Sequence, residues 1–362
     1  MNCLNYGGFY HFRKVRERMY VDKSNMIAQM NAFIRTKEKY IAITRPNGFG
    51  KTINAEMLAA YYTIGYDSHG LFDDLMISKS KSYEKHINQH NVIMIDFSVL
   101  PGTSCYQDYI TRIEEQLSQD IYEVYGVKGF DNESVGDLLV ETGDSFIFIL
   151  DHWEAVLFQD FMSFEDKEKY LEFLQGLLKD QTYVELAYMT GVLPVMKISS
   201  ISGLNMFDEY TMMNDNVWDA YFGFCEQEVR SLCMQSEIRY EELKEWCGGY
   251  CRSDGNNLFR PSSVINVITR QEFLNDDLYG MDSFVQGLKK FREDIKDLIS
   301  GKAIRMKLME YRWMDVCLDT KEELFSFMVT CGYLSDHQGW VRVPNREMMV
   351  LLKQIVNDLD NE

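Results

Sequence analysis

The chain has 362 residues, 46% of them hydrophobic and 26% charged, and it carries a formal net charge of −19 at pH 7. This length is enough for two or three domains with a sizeable core. The acidic excess argues against general nucleic-acid binding, because phosphate contacts need a surplus of Lys and Arg, and it leaves room only for a local basic face.

The sequence also argues against a membrane or secreted protein. No apolar run approaches the ~20 residues needed to span a bilayer. The basic residues near the N-terminus, from Arg13 to Arg18, are not followed by the apolar core of a signal peptide. We therefore expect a cytoplasmic protein with no membrane partner.

Cysteines and histidines show no metal-binding pattern. Of the eight cysteines, the closest pair is Cys247 and Cys251, which lacks C-x-x-C spacing and has no histidine near it in the sequence. We interpret the cysteines as reduced and mostly buried. His86 and His90 have the spacing of one helical face, but no carboxylate or third ligand completes a site, so we expect them on a solvated helix surface.

Residues 1–38 combine aromatic and basic residues and then predict a helix. Apolar side chains recur at helical spacing from Met26 to Ile34, and Asp22 or Ser24 would cap this helix. The helix leads directly into an apolar strand at 40–44. It either contacts a base or ribose of a bound ligand or only covers the strand.

A candidate phosphate-binding loop follows this strand and precedes a helix-like segment from Ile53 to Tyr62. In such a turn, backbone N–H groups, the helix N-terminus and Lys51 offer positive charge, and Thr52 would hold a magnesium ion. The usual pattern is G-x-x-x-x-G-K-[ST]. Arg45 replaces its first glycine, and Gly48 would restore the lost freedom. The candidate nucleotide-binding residues are Arg45, Pro46, Asn47, Gly48, Phe49, Gly50, Lys51 and Thr52.

Two further apolar strands are predicted. The second strand, Asn91 to Phe97, is apolar on both faces, which suits a central position in a parallel sheet. A helix from about Tyr106 to Tyr125 follows it. The third strand, Phe146 to Asp151, ends in a carboxylate at the C-terminal edge of the sheet, where ligands bind in α/β folds.

Asp151 is the candidate magnesium ligand together with Thr52, unless it only caps the next helix. In phosphate-loop enzymes the residue after such an aspartate is commonly a glutamate that activates the attacking water, but here it is His152. Glu154 could serve instead, although in an extended chain it shares a face with His152 rather than with Asp151. His152 and Glu154 are therefore both candidate catalytic residues.

A fourth strand, Val184 to Gly191, follows a helix from about Glu165 to Lys179. Its Thr190 would lie beside the γ-phosphate and is a third candidate catalytic residue. The alternation of strands and helices across 40–191 predicts an α/β fold with a parallel sheet sandwiched by helices.

The order of these segments resembles the AAA-ATPase-like family of bacteria, whose fuller members carry a C-terminal PD-(D/E)XK nuclease-like domain. The family's own loop begins Arg-Pro, which accounts for Arg45. The resemblance implies a P-loop NTPase sheet that binds ATP and Mg²⁺. The pieces that carry it are Tyr20–Ser24, Arg45–Pro46, Phe49–Thr52, His90–Phe97, Thr190–Val192, Ser199–Asn205, Gly223–Phe224, Glu226–Val229, Gly248–Tyr250, Arg260–Val264, Gly332–Leu334 and Val343–Asn345.

Three departures from the family pattern matter. Asn47 and Gly48 stand where the family usually has two basic residues, so less positive charge lies near the phosphates. The sequence Asp151-His152-Trp153-Glu154 stands where the family commonly has Asp-Glu-Tyr-Asp, so the expected catalytic glutamate is missing. The chain stops soon after Asn345, where fuller members continue, so we expect no nuclease activity from the residues present.

Beyond Gly223 the periodicity is helical. The resemblance implies an AAA-like nucleotide-binding domain at 1–224 and a small helical lid at 225–275. From 276 to 362, helices and a hairpin turning at His337-Gln338-Gly339 predict a winged-helix-like domain. Its recognition region, Lys321 to Thr330, has two acidic residues and one lysine, so we expect it to make intramolecular or protein contacts rather than to bind DNA.

The leading hypothesis is an ATP-binding AAA-ATPase-like protein, a slow or inactive ATPase that acts as a nucleotide-dependent switch and has a protein partner. In-line phosphoryl transfer relies on positioning and charge neutralisation, which a carboxylate achieves better than His152. One alternative is a degenerate interaction or regulatory module that does not hydrolyse ATP. Another is a DNA-associated partner of a nuclease.

Overall fold

The computed structural model describes residues 3–5, 8–99, 103–129, 133–195, 204–215, 217–251, 255–273, 282–308 and 318–361. Of the segment Ser199–Asn205, which carries part of the family resemblance, residues 199–203 lie outside the described ranges. The chain divides into two compact units. The sheet unit comprises Met1–Ile43, Thr52–Gly191 and Val195–Tyr210, and the loop unit comprises Thr44–Lys51, Val192–Pro194 and Thr211–Glu362. The division into three domains starting at 1, 225 and 276 stays a prediction.

Five strands of the described chain form one parallel sheet, in the order β2-β3-β4-β1-β5. Three of them, β1, β3 and β4, are buried along their whole length, as expected for mostly apolar strands covered on both faces. The predicted α/β fold is therefore confirmed. The bounds are β1 Tyr40–Thr44, β2 Asn91–Asp96, β3 Phe146–Asp151, β4 Val184–Gly191 and β5 Asp208–Tyr210.

Strand β2 lies at the edge of this sheet, so its predicted central position is wrong. The N-terminal segment covers its outer side. Leu4 forms an antiparallel bridge with Ile93, and the Asn5 N–H donates to Val92 O at 2.7 Å. Because these contacts satisfy the outer backbone groups, β2 can be apolar on both faces without being central.

Helices connect the strands of the sheet unit. The long helix α6 has the predicted bounds, and it ends where Gly126 takes a left-handed φ of 72°. Helix α8 begins one residue earlier than predicted, at a capping box between Ser163 and Asp166. The helices are α1 Phe9–Arg16, α2 Asn25–Met30, α3 Lys51–Tyr62, α4 His69–Phe72, α5 Tyr83–His86, α6 Tyr106–Tyr125, α7 Val135–Glu141 and α8 Phe164–Leu178.

Ser24 occupies the N-cap position of α2, but its side chain makes no capping hydrogen bond. Its Oγ accepts from the N–H of Ile77 at 3.1 Å, and the Asp22 carboxylate accepts from the N–H of Met76 at 2.7 Å. Asp22 also accepts locally from the Ser24 N–H at 2.8 Å. Both predicted caps therefore bind a different segment of the chain, and Asp22 binds the start of its own helix as well.

His86 and His90 are buried, so their predicted place on a solvated helix surface is wrong. His86 Nδ1 lies 2.9 Å from His90 Nε2, and His90 Nδ1 lies 2.6 Å from a carboxylate oxygen of Glu185 in β4. Polar partners make this burial favourable. The sequence offered no carboxylate near the two histidines because Glu185 is 95 positions from His90.

The loop unit contains two small antiparallel sheets, which have the orders β6-β8-β7 and β10-β11-β9. The first sheet lies among the helices of the region 225–275. In neither unit does a described helix combine the length and the apolar character that crossing a membrane requires. The elements are β6 Phe224–Cys225, α9 Glu226–Cys233, α10 Tyr240–Cys247, β7 Tyr250–Cys251, β8 Asn257–Phe259, α11 Pro261–Arg270, α12 Asp282–Lys290, α13 Arg292–Ile299, β9 Ile304–Arg305, α14 Lys321–Thr330, β10 Ser335–His337, β11 Trp340–Arg342 and α15 Arg346–Asn361.

The predicted hairpin at the end of the chain is confirmed. Strands β10 and β11 pair antiparallel, with His337 opposite Trp340. The two residues between them, Gln338 and Gly339, have φ angles of 56° and 86°. Two successive left-handed residues are typical of the tight turns that match strand twist. The winged-helix assignment of this region stays a prediction.

Candidate functional site

The loop between β1 and α3 is held by its carbonyl oxygens. In a trans peptide, the C=O group and the following N–H group point in opposite directions. The N–H groups of residues 48, 49 and 50 are therefore turned away from the donors and form a run of the kind that binds anions. The three donors are Arg260 Nε to Asn47 O at 3.0 Å, Ser262 N to Gly48 O at 3.1 Å and Gly223 N to Phe49 O at 3.2 Å.

Gly48 and Gly50 give the loop its shape. Their φ angles are 79° and 90°, in the left-handed region that residues with a side chain rarely adopt. A Cβ on Gly48 would also lie 2.1 Å from Ser262 Oγ and 2.6 Å from Arg260 Nε. Gly48 thus supplies the conformational freedom that Arg45 removes from the usual first position, and it lets two anchoring residues approach the backbone.

The Lys51 ammonium lies against the loop that precedes it. Nζ donates to Arg45 O at 2.9 Å and to Pro46 O at 3.1 Å, and it lies 3.4 Å from Asn47 Oδ1. The residue is only 4% exposed, so these dipoles replace water around a buried charge. Lys51 is also the first residue of α3. A full positive charge therefore stands at a helix N-terminus, which is the combination that binds phosphate.

Arg45 is held by a buried partner that sequence reasoning missed. Its guanidinium forms an ion pair with Asp215 and lies 5.1 Å from the ring centroid of Phe222. Asp215 also accepts from the N–H groups of Val217 and Trp218, both at 2.7 Å. Because Asp215 neutralises the guanidinium, we assign Arg45 to anchoring the loop rather than to supplying charge for a phosphate.

A second buried network fixes Arg260, the side chain that donates to Asn47 O. Arg260 pairs with Glu347 of α15 at 3.4 Å, and both side chains are buried. Ser263 Oγ lies 2.9 Å and 2.7 Å from the two oxygens of the same carboxylate. Arg260 and Ser263 belong to a piece of the family resemblance, whereas Glu347 belongs to no motif and lies 87 positions from Arg260.

The ring of Phe49 is a core side chain of the loop unit. It packs edge-on against Tyr250, with ring centroids 5.1 Å apart, and both rings form an apolar cluster with Leu258. Tyr250 also donates its hydroxyl to Gly332 O at 2.8 Å. The Phe49 ring therefore anchors the middle of the loop in this apolar cluster. The Phe49 backbone, rather than its ring, is the part that a ligand could reach.

In the sheet unit, Asp151 and Thr190 lie on neighbouring parallel strands. Asp151 ends β3 and Thr190 is the residue before the last of β4, and both are fully buried. The carboxyl ends of parallel strands share one edge of the sheet, where α/β folds bind ligands. Thr190 Oγ1 has no hydrogen-bond partner among the described residues, which is unusual for a buried hydroxyl and fits a ligand atom. The next helical turn has Glu154 at its N-cap, so the capping role for Asp151 is wrong.

His152 stands between two carboxylates. Its Nδ1 lies 3.0 Å from Asp96 Oδ1 and 3.4 Å from Asp151 Oδ2, and its backbone is left-handed with a φ of 52°. Asp96 ends β2 opposite Asp151, and sequence reasoning missed it. Burial raises the pKa of the Asp96 carboxyl, but hydrogen bonds from His152 and Ser98 outweigh burial and bring that pKa below its usual value.

Glu154 lies against the end of β4. The residue is buried, and a Cβ on Gly191 would lie 2.0 Å from Glu154 Oε2. The neighbouring Trp153 donates its N–H to Thr190 O at 3.3 Å. The structure therefore brings Glu154 to the end of β4, and it brings His152 to Asp151 and Asp96.

Glu56 adds a carboxylate that sequence reasoning also missed. It lies on α3, four positions after Thr52, and its Oε1 is 3.0 Å from His11 Nδ1. Burial raises the pKa of Glu56. His11 opposes this effect, and the negative charges of Asp151 and Asp96 add to it.

Two observations test whether ATP and magnesium fit the residues present. Three consecutive loop carbonyls accept from protein donors, which leaves the N–H groups that follow them pointing away from those donors, and Thr190 has a buried hydroxyl with no partner in the described chain. Each of these features fits a phosphate oxygen. Nucleotide-bound Mg²⁺ is usually held by one or two carboxylates with phosphates and water, without a protein cage. In the described ranges, no cluster of three or more His, Cys, Asp and Glu side chains is placed to hold a metal ion.

The sequence has relatives among known proteins. A family model described as "Predicted AAA-ATPase" matches residues 7–201. An uncharacterized protein in the vnfD 5′ region of Azotobacter chroococcum mcd 1 is 24% identical over 284 residues, which cover 74% of this chain and 52% of the relative. The chain thus spans about half the length of this curated relative.

Solved structures with a similar arrangement include two archaeal proteins. The Walker-type ATPase PABY2304 of Pyrococcus abyssi has 10% sequence identity and a TM-score of 0.46, and the likeness covers 92% of this chain and 96% of that chain. The ORC2 protein of Aeropyrum pernix has 9% identity and a TM-score of 0.40, with coverages of 95% and 97%. We draw no inference from likenesses at these TM-scores.

The family model covers more than half of the chain. The residues that it matches include strand β1 and the Arg-Pro loop that ends in Lys51 and Thr52. They also include the buried strands β3 and β4, which carry Asp151 and Thr190. The match ends before Asp215 and Arg260, which hold the loop from within the loop unit. The chain belongs to the AAA-ATPase-like family, described as Predicted AAA-ATPase.

Proposed function

We propose that the chain binds ATP with Mg²⁺ through the loop from Arg45 to Thr52 and hydrolyses it slowly or not at all, so that the bound nucleotide acts as a switch. The observation that carries the proposal is the set of three loop carbonyls turned to protein donors, since it directs the loop's N–H groups to the opposite side. Phosphate binding at a helix N-terminus uses such N–H groups.

The side chains take separate parts in the proposed complex. Lys51 exchanges the carbonyls of Arg45 and Pro46 for phosphate oxygens, which restores full charge pairing to a buried ammonium. The Thr190 hydroxyl donates to an oxygen of the γ-phosphate. Thr52 and Asp151 would hold magnesium, which neutralises phosphate charge when it is bound.

Slow turnover follows from the surroundings of the two candidate catalytic residues. A water-activating group must direct an acceptor at the water. His152 stands directly after Asp151 and directs Nδ1 at Asp96 and Asp151, but an imidazole positions water and neutralises charge less well than a carboxylate does. Glu154 is buried against Gly191. No glutamate directly follows Asp151, and this supports a nucleotide switch over a fast ATPase.

We also propose a protein partner rather than DNA for the C-terminal region. The predicted recognition region is helix α14, and its residues 324–329 are all buried. A helix that reads DNA must expose side chains to the groove. The burial of α14 therefore supports a packing role, and the proposed partner binds elsewhere.

Calorimetric titration with ATP and Mg²⁺ tests nucleotide binding. We expect saturable binding to the unaltered chain and its loss in Lys51→Ala, since the variant removes the full positive charge of the site. Lys37→Ala is the matched control, because Lys37 is an exposed lysine before β1, and it should bind as the unaltered chain does. Absence of binding in all three proteins would favour a fully degenerate module.

Phosphate release tests the catalytic part of the proposal. His152→Glu places a carboxylate directly after Asp151, and we expect it to raise the rate of ATP hydrolysis by about tenfold or more, where a fully effective general base contributes about 10²–10⁴-fold. His69→Glu, at an exposed histidine of α4, controls for added negative charge. Fast hydrolysis by the unaltered chain would contradict the proposed switch.

A further inference from the structure

Cys251 and His337 form a thiol–imidazole pair in the loop unit. Cys251 ends β7 and His337 ends β10, and although they are 86 positions apart, Cys251 Sγ lies 2.8 Å from His337 Nδ1. His337 Nε2 lies 3.2 Å from Gly249 O. Nδ1 is therefore the ring nitrogen that shares a hydrogen bond with the Cys251 thiol.

A positive charge also lies beside the pair. Arg342 of β11 places Nη2 2.7 Å from His337 Nε2 and 3.2 Å from Nδ1. Burial and the positive charge of Arg342 lower the pKa of the His337 imidazole. A thiol beside an imidazole and a guanidinium is typical of reactive cysteines.

A cavity of about 500 Å³ opens beside this pair, a volume typical of sites for small molecules. Cys251, His337 and Ser335 line it, together with Tyr250 and Met212. Ser335 is only 4% exposed, and its Oγ has no hydrogen-bond partner among the residues that the structure describes. A buried hydroxyl at the wall of a cavity is an unused binding group for an occupant.

We propose that Cys251 is a modification site at which a low-molecular-weight disulfide of the glutathione class forms a mixed disulfide, with the attached group seated in this cavity. The Cys251 thiolate attacks one sulfur of the disulfide. The old S–S bond breaks as the new one forms, and the leaving thiolate takes up the proton that the Cys251 thiol gave up. One disulfide replaces another, so the step needs no further oxidant. The proposal does not depend on nucleotide binding.

The first test compares two cysteines within one molecule. The full chain is treated with oxidised glutathione at pH 7, quenched with acid and analysed by peptide mass spectrometry. Cys105 is the internal reference because it is an exposed thiol. We expect Cys251 to react about tenfold faster than Cys105, although it is less exposed, and the ratio to fall to about one in concentrated urea. Equal rates in the native protein would overturn the proposal.

The second test removes the imidazole beside the thiol. In His337→Gln, we expect modification of Cys251 to slow by about tenfold while the rate at Cys105 is unchanged. His11→Gln, at an exposed histidine, is the matched control and should change neither rate. An unchanged Cys251 rate in a folded His337→Gln protein would overturn the proposal. If circular dichroism shows that this variant does not fold, the native and urea ratios of the unaltered chain decide the matter.

Discussion

At the scale of single residues, Gly48 is required for two independent reasons. Its φ of 79° disfavours any residue with a side chain, and Ser262 Oγ and Arg260 Nε occupy the space that a Cβ would need. Most positive-φ glycines meet only the first condition. Gly48 is therefore the position of the loop where the smallest substitution has the largest effect.

We expect Gly48→Ala to lower the free energy of unfolding by about 2–4 kcal/mol, from backbone strain and overpacking together. Gly301→Ala is the matched control, because Gly301 has a φ of 92° with open space around its Cβ position, and we expect a loss of about 1–2 kcal/mol. Urea unfolding followed by circular dichroism measures both. Equal losses in the two variants would mean that the contacts with Ser262 and Arg260 carry no cost.

At the scale of elements, local patterns were predictable and long-range pairings were not. Helix α6 was predicted with its observed bounds, because a twenty-residue amphipathic pattern ending at a glycine is a local signal. Strands β5 and β6 have three and two residues, too few to show a period. The site follows the same rule, since a motif marks Lys51, whereas Asp215 pairs with Arg45 across 170 positions.

The buried histidines join the end of α5 to the start of β2 and to β4. Burial, followed by the charges of His90 and Lys85, lowers the pKa of His86 to about 4 from 6.5, and Glu185 and Arg35 also act on it. Burial raises the pKa of Glu185, but hydrogen bonds from His90 and Arg35 outweigh it and lower that pKa to about 2 from 4.5. Both lowered pKa values mean that acid destabilises the fold.

We expect the free energy of unfolding to decrease as the pH falls from about 6.5 to 4, because unfolding lets His86 take up a proton that the fold excludes. The loss should be on the order of 3 kcal/mol. His86→Gln keeps a polar side chain without this titration and should show a smaller loss across the same range. Urea unfolding at several pH values measures it, and the same slope in both proteins would contradict the assignment. The Glu185 contribution is lost only below about pH 4.5, toward pH 2.

Helix α15 is tied to the start of α11 by one carboxylate. We expect Glu347→Gln to cost about 3–5 kcal/mol of unfolding free energy, because it leaves the buried Arg260 guanidinium without its counter-charge. Glu245→Gln, which removes an exposed pair with Arg346 at 3.8 Å, should change stability little. Urea unfolding compares the two variants. A small effect of Glu347→Gln would mean that Arg260 is compensated by other groups.

At the scale of the whole molecule, the charge of −19 bears on what the protein can bind. Negative charge of this size repels nucleic acid at long range, unless a local basic face overcomes it. A bound nucleotide is different, because a helix N-terminus and Lys51 act on it at close range. The same molecule can therefore bind a nucleoside triphosphate while it repels nucleic acid.

We expect fluorescence anisotropy with labelled duplex DNA to show no saturable binding, even at low salt, where electrostatic attraction is strongest. The unaltered full chain and a strongly basic DNA-binding protein as positive control are measured side by side. Binding that weakens steeply with added salt would reveal a basic face and would favour the DNA-associated alternative.

The anchoring of the loop also determines when it can form during synthesis. Residues 44–51 leave the ribosome early. The residues that donate hydrogen bonds to the loop carbonyls emerge some two hundred residues later, and they are Gly223, Arg260 and Ser262. Glu347, which steadies Arg260, comes later still. A nascent chain can thus form its sheet long before it can bind a nucleotide. The ability to bind ATP is therefore one of the last properties to develop during folding, and it requires that the C-terminal half of the polypeptide has folded.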